Sequence, residues 1–213
     1  GPQCRVSQAN VFIFNEDAYQ LLMDVNVLCG LLSTLPQTSL RGMRILEALM
    51  RFTHIVDFEQ EYGARQESFR AAREELKEAL SCRNGSTAPL MLLLGQSHID
   101  LGWLWPVEET RRKAGRTYAN QLSLMEEYPE YRFLACEPAL MDLLRAHHPA
   151  LWKGLVEAVK RGQAVGDGAF YVECDTNMPS GESLIRQLMY GKRWFKEQFG
   201  VDSKVAWQPD TFG

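Results

Sequence analysis

Residues 90–94, Leu-Met-Leu-Leu-Leu, are apolar without a break and run directly into Gly95-Gln-Ser-His98-Ile-Asp100-Leu-Gly-Trp103-Leu-Trp105-Pro106. A short apolar run bounded by turn-forming residues predicts a strand buried on both faces, of the kind found in parallel sheets covered by helices. Helical and extended patterns alternate after it. A helix is predicted from about Pro106 to Tyr128, a strand over Arg132–Cys136, and helices over Ala139–Ala146 and Pro149–Arg161. An extended stretch follows over Gln163–Val172. Then comes a helix from Ser180 to Phe199, with Leu184, Leu188, Gly191 and Phe195 on one stripe and Gly200 as its stop, and a last strand over Lys204–Gln208. Strand and helix in alternation argue for an α/β fold built on a parallel sheet or barrel. About four strand candidates leave that sheet incomplete.

Upstream the pattern is different. Ser81–Pro89 is polar and rich in turn residues, a linker. Before it, Asn15 followed by Glu16 and Asp17 is a helix-start signal, because a short polar cap and early acids satisfy free amides and the helix dipole. Leu22, Val25, Leu28 and Leu32 recur at helical spacing. A second stripe carries Ile45, Leu49, Phe52 and Val56, and a third carries Phe69, Ala72, Leu76 and Leu80. Residues 1–88 are therefore expected to form a helical region without metal ligands, and residues 89–213 the α/β part. The chain opens on Gly-Pro without Met and stops just past Asp210, so it is expected to be a fragment. A formal charge of −4 gives no electrostatic reason to expect nucleic acid or an anionic membrane surface. No apolar run approaches the roughly 18 residues of a membrane span, and no secretory leader pattern is present. Cys4, Cys29, Cys82, Cys136 and Cys174 are odd in number, widely spaced and free of CxxC, which reads as reduced thiols of a cytoplasmic protein.

In parallel α/β folds reactive groups collect where loops leave the carboxyl ends of strands. Here His98 and Asp100 follow the first apolar run. In an extended chain, residues two apart point to the same side, so one imidazole and one carboxylate make half of a zinc or manganese site. Trp103 offers a flat apolar face of the kind that stacks on sugar rings. Asp210 lies just past the last strand, between Pro209 and Gly213. Glu173 and Asp175 lie in a third polar segment, Tyr171-Val-Glu-Cys-Asp-Thr-Asn177, ahead of the long helix. Three strand ends thus supply a histidine and four acids to one rim. Core packing for the tryptophans and a solvent-facing helix-entry cluster for Glu173 and Asp175 are the plain alternatives.

Three ordered motifs carry a resemblance. Gly95-Gln-Ser-His98-Ile-Asp100-Leu-Gly-Trp103-Leu-Trp-Pro106, Tyr171-Val-Glu-Cys-Asp-Thr-Asn-Met-Pro-Ser-Gly-Glu-Ser-Leu-Ile-Arg-Gln-Leu-Met-Tyr-Gly-Lys-Arg193 and Trp207-Gln-Pro-Asp210-Thr-Phe-Gly213 resemble the class II α-mannosidases of glycoside hydrolase family 38. The nearest branch is the cytosolic, vacuolar and bacterial one. The resemblance implies a (β/α)7 barrel, of which this chain would hold an incomplete part behind a helical region. It also implies one zinc ion and a retaining mechanism on terminal α-D-mannosyl residues. His98 and Asp100 match zinc ligands, and Asp210 matches the residue that both binds zinc and attacks the sugar. Trp103 matches the tryptophan of the sugar subsite, with Glu173 and Asp175 expected to shape its rim. The fourth ligand and the general acid would lie beyond Gly213. The implied partner is a mannose-containing oligosaccharide, with neither nucleic acid nor membrane, and a homo-oligomer of the full-length protein is compatible with it. The chain departs from the family pattern at Tyr171, at Cys174 and in the segment after Cys136, which bears on subsite shape.

Two other readings remain on the sequence. A metal-dependent polysaccharide deacetylase-like hydrolase also sets Asp and His at strand ends, but it needs a downstream motif such as HxxxH. His147 and His148 are adjacent instead, at a helix end where solvent exposure is expected. The third reading is a non-catalytic module that binds a carbohydrate or a partner.

Overall fold

The computed structural model describes residues 8–36 and 38–212, so Cys4 and Gly213 lie outside the described residues. The chain divides into two compact units between Pro89 and Leu90.

The first unit is three helices, α1 (Glu16–Thr34), α2 (Leu40–Ile55) and α3 (Tyr62–Ser81). Their starts are written in single residues. Asn15 accepts from the Ala18 N–H at 3.1 Å, and Ser39 accepts from the Gly42 N–H at 2.9 Å, each satisfying an amide that the first helical turn leaves free. Leu21 and Leu28 of α1, Ile45 and Ala48 of α2, and Phe69 and Leu76 of α3 form the shared core. The stripe on α1 is rotated from the expected one: Leu21 is buried, whereas Leu22 is 55% exposed. The reason is angular. At 100° per residue Leu21, Val25, Leu28 and Leu32 stay within one stripe, while Leu22 drifts off its edge. Arg73 to Asp24 at 2.6 Å and Arg70 to Asp17 at 3.0 Å tie α3 to α1 outside this core.

The second unit contains α4 (Val107–Glu127), β1 (Phe133–Ala135), α5 (Pro138–His147), α6 (Pro149–Lys160), β2 (Ala164–Gly166) and α7 (Gly181–Phe199). β1 and β2 pair in parallel, with Phe133 opposite Ala164 and Ala135 opposite Gly166. On the other edge of β1, Gly95 donates to the Arg132 carbonyl at 2.9 Å and accepts from Leu134 N–H at 2.8 Å. Past β2, the Trp207 N–H donates to the Gly168 carbonyl at 3.1 Å. The extended segments therefore lie side by side in chain order. Phe133, Met141, Leu144, Leu155 and Phe195 are the centre of the core, which the helices share with β1.

The expected sheet is only partly realised. Among the described residues it has two strands, and no closed barrel forms. Lys204–Gln208 makes no ladder, and Val205 is 56% exposed. The Leu90–Leu94 run is the larger correction: its first four side chains are 80–85% exposed. A strand buried on both faces needs neighbours on both edges and cover above and below. Among the described residues, only Gly95 at its end joins the ladder.

α7 ends as expected, on Gly200 in the left-handed conformation at φ 73°, with its N–H on the Lys196 carbonyl. Its inner face meets the 169–171 backbone so closely at Gly191 that a Cβ there would stand 2.5 Å from the Tyr171 nitrogen. None of the described helices is long and apolar enough to cross a membrane.

Candidate metal centre

The His98–Asp100 segment is irregular backbone held by one buried hydroxyl. Thr110, fully buried on the first turns of α4, donates to the Asp100 carbonyl at 2.8 Å. The same oxygen accepts from the Gly102 N–H and from the Trp105 indole N–H, each at 3.0 Å. Gly102 has φ +82°, where a side chain would be strained, and this turn brings the chain back onto α4. Nothing in the local pattern singles out Thr110, because its partners are identifiable only once the loop has folded onto the helix.

Asp210 is held through a second set of bonds. Thr211 donates to Gln208 Oε1 at 2.6 Å and to the Cys174 carbonyl at 3.3 Å. Asn177 and Thr176 donate to the Phe212 carbonyl at 2.6 and 3.2 Å. These bonds lace the 174–177 segment to the Asp210 loop. The 171–173 segment is fixed in turn by α7, since Gln187 accepts from Tyr171 N–H and Val172 N–H, each at 3.1 Å.

The result is one cluster. His98, Asp100 and Asp210 each offer a donor atom, and the three atoms lie within 4.8 Å of one another. His98 Nε2 is 3.5 Å from Asp100 Oδ1 and 3.5 Å from Asp210 Oδ2, buried and without a hydrogen bond. Two ligand atoms of a tetrahedral zinc, each at 2.0–2.2 Å from the ion, stand roughly 3.3–3.6 Å apart. The two distances from Nε2 therefore match a shared cation, and so does the chemistry of one nitrogen and two carboxylates. An unsatisfied buried nitrogen facing two acids is otherwise costly.

The other expected residues are placed differently. Trp103 is 66% exposed, its ring meeting that of Trp105 edge-on at 5.2 Å, so a core role is ruled out for it. Trp105 is pinned by its indole bond and by Lys113, whose ammonium sits 4.3 Å from the ring centroid. Asp175 is exposed and accepts from the Asn177 N–H at 2.9 Å, a local turn bond. Glu173 is not at the rim: its side chain is only 3% accessible. One of its oxygens contacts His98 Nδ1, and the other accepts from Cys136 Sγ at 2.8 Å and Gln96 Nε2 at 3.2 Å. A carboxylate engaged on both oxygens and shut from solvent cannot also bind a sugar hydroxyl. His148 departs from expectation too, as its ring packs over Gly115.

The electrostatics follow from these contacts. Burial disfavours charge on His98, but the Glu173 carboxylate beside it, and then Asp100, outweigh that and hold its pKa above the ordinary value. Burial pushes the Cys136 thiol far up, so it stays protonated and donates. Glu137, next along and 3% exposed, is pushed up to about 8, first by burial and then by the charge of Glu173. A cavity of about 240 Å³ opens beside His98 and Asp100, walled by Trp105, Lys113, Arg116 and Thr117.

Known proteins resemble this chain along the same segments. Residues 89–213 match the glycosyl hydrolases family 38 N-terminal domain. Alpha-mannosidase 2C1 of Mus musculus is 32% identical over 98% of the chain, which spans 20% of that protein. Alpha-mannosidase G of Dictyostelium discoideum is 31% identical over 98% of the chain and 19% of its own length. The alpha-mannosidase of Saccharomyces cerevisiae is 46% identical over 56% of the chain and 11% of its own length. The chain thus spans about a fifth of the length of the relatives that align along nearly all of it. With the family match running through all three segments that meet at His98, this chain belongs to glycosyl hydrolase family 38.

Proposed function

We propose that this chain supplies part of the active site of a zinc-dependent retaining α-mannosidase that removes terminal α-D-mannosyl residues from oligosaccharides. The observation that carries the reading is the buried, unbonded Nε2 of His98 standing 3.5 Å from the carboxylates of both Asp100 and Asp210. In this reading residues 89–213 open a (β/α)7 catalytic domain, whose remaining strands would cover Leu90–Leu94, and residues 1–88 form a helical region ahead of it. The fourth ligand and the general acid belong to the rest of the enzyme. The four described cysteines, Cys29, Cys82, Cys136 and Cys174, are all free thiols, which supports a cytoplasmic setting.

His98, Asp100 and Asp210 would hold the ion. Zinc, when bound, supplies an electrophile that can grip two vicinal sugar hydroxyls, and mannose offers a cis pair at C2 and C3. Asp210 has its side chain 53% accessible, against 38% for Asp100, and is the more open acid of the cluster. Its carboxylate attacks the anomeric carbon as the glycosidic bond breaks and the departing oxygen takes a proton from the general acid in the rest of the enzyme, giving a glycosyl ester on Asp210 that water later hydrolyses. Trp103 turns an exposed indole face to the sugar, while Trp105 and Thr110 keep its loop in place. Asp175 borders the opening.

The test uses the full-length enzyme and an aryl α-mannoside. Asp210→Asn keeps shape but removes the nucleophile, so turnover should fall by more than the roughly 10²–10⁴ assigned to a general acid or base. A fluorinated mannosyl substrate should label Asp210. Near-normal activity of Asp210→Asn, or a label on Asp175, would overturn the assignment.

A further inference from the structure

We propose that Glu173 is a positioning residue that fixes the proton of His98 on Nδ1, leaving Nε2 as a bare donor turned toward Asp100 and Asp210. Cys136 and Gln96 hold Glu173 in that role. The inference rests on the reading of His98 as a metal ligand and extends it to three residues outside the ligand set.

A neutral imidazole carries one proton on one of its two nitrogens, and only the other can bind a cation. An ionised carboxylate can only accept. With a Glu173 oxygen against Nδ1, the proton must sit on Nδ1 and the lone pair on Nε2. The opposite arrangement requires Glu173 to be protonated and to donate to Nδ1. The structure opposes this at the other oxygen, which already accepts from the Cys136 thiol at 2.8 Å and the Gln96 amide at 3.2 Å. A carboxylate that accepts at both oxygens meets the Nδ1–H on one side and both donors on the other. The thiol keeps its proton because burial pushes its pKa far up, so it remains a donor throughout the neutral range. Burial also separates this role from substrate binding, since 3% of the Glu173 side chain is accessible against 53% for Asp210. Outer carboxylates of this kind fix ring orientation and raise ligand basicity, and their loss typically costs 10–100-fold in metal affinity.

The experiment has two readouts on the full-length enzyme. The first is the 15N signature of the His98 ring in metal-free protein above the His98 pKa, with histidine-selective labelling and assignment by His98→Gln. The second is zinc affinity by chelator competition. The wild type should show the Nδ1–H form. Glu173→Ala should shift the ring toward Nε2–H and weaken zinc about 10–100-fold. Glu173→Gln has one acceptor oxygen, which the Cys136 and Gln96 donors claim, so its NH2 faces Nδ1 and it too should move the ring toward Nε2–H and weaken zinc. Cys136→Ala should weaken zinc by a smaller factor. A wild-type ring in the Nε2–H form overturns the proposal whatever the variants do. So does a Glu173→Ala protein with unchanged ring signature and zinc affinity within twofold. If Glu173→Ala does not fold, the wild-type ring and Glu173→Gln decide the matter between them. A wild type that takes up no zinc would instead defeat the functional reading, and the ring signature would still test Glu173 alone.

Discussion

Replacing Gly191 by alanine should show how closely α7 must approach the segment that leads to Glu173. A Cβ there would fall inside the van der Waals shells of the Ala169 carbonyl oxygen and the Phe170 carbonyl carbon, and 2.5 Å from the Tyr171 nitrogen. Relaxed carbon contacts need about 3.5 Å, so helix and strap must part by roughly 1 Å. All three obstacles are backbone atoms, which cannot rotate away. Overpacking of this kind costs about 1–3 kcal/mol. The separation also stretches the two bonds from Tyr171 and Val172 to Gln187, worth about 1–2 kcal/mol together. Alanine's helix propensity returns about 1 kcal/mol. The net loss is about 1–4 kcal/mol. Every tryptophan, at positions 103, 105, 152, 194 and 207, lies in the second unit, so tryptophan fluorescence follows the unfolding of that unit without interference. With a urea slope of about 2 kcal/mol/M the midpoint should drop by about 0.5–2 M. An unchanged or higher midpoint would mean that the close approach at Gly191 does not exist in solution.

Gly30→Ala in α1 is the matched opposite: nothing lies within 4 Å of a Cβ there, so helicity alone should stabilise the first unit by about 0.5–1 kcal/mol, read by far-ultraviolet circular dichroism in urea. Thr110→Val keeps the shape but strands the Asp100 carbonyl, the Gly102 N–H and the Trp105 indole, and should cost about 2–4 kcal/mol in a fluorescence-monitored melt while loosening zinc. Glu137, with a folded pKa of about 8 against an ordinary 4.5, binds its proton more tightly folded than unfolded. Stability should therefore fall as pH rises between those values, by at most about 1.4 kcal/mol per unit, and denaturation from about pH 5 to about pH 8 should show a shallower decline for Glu137→Gln.

Helices are legible in this sequence because their determinants are local. Asn15, Ser39, Ser180 and Gly200 act on backbone groups within four residues, and the predicted limits around α4 and α7 differ from the observed ones by a residue or so. Ladders are not local. Leu90–Leu94 and Lys204–Gln208 have the composition of strands, but a ladder depends on partners along each edge, and only Gly95 and Trp207 make such bonds. Within the site, the two-residue spacing of His98 and Asp100 can be read directly, whereas Asp210 is brought to them only by the strand-end rule, which puts it on the same rim, and by the family resemblance, which makes it a ligand. Glu173 shows the limit most clearly. Its motif marks it as an acid near the site, yet its facing is decided by Cys136 and Gln96, residues 37 and 77 positions away.

The side-by-side order of Gly95, β1, β2 and Trp207 bears on how such a site can be made during synthesis. Each extended segment hydrogen-bonds to the one emerging immediately before it, so no piece waits for a distant partner and no earlier contact has to reopen. Loop closure is then incremental, each step spanning one helical connection rather than the whole unit. Gln96, His98, Cys136 and Glu173 all precede the last of these segments. The imidazole can therefore be aimed and its proton placed while Asp210 is still to be translated. Asp210, which we assign as the nucleophile, then reaches a histidine whose neighbours precede it in the chain.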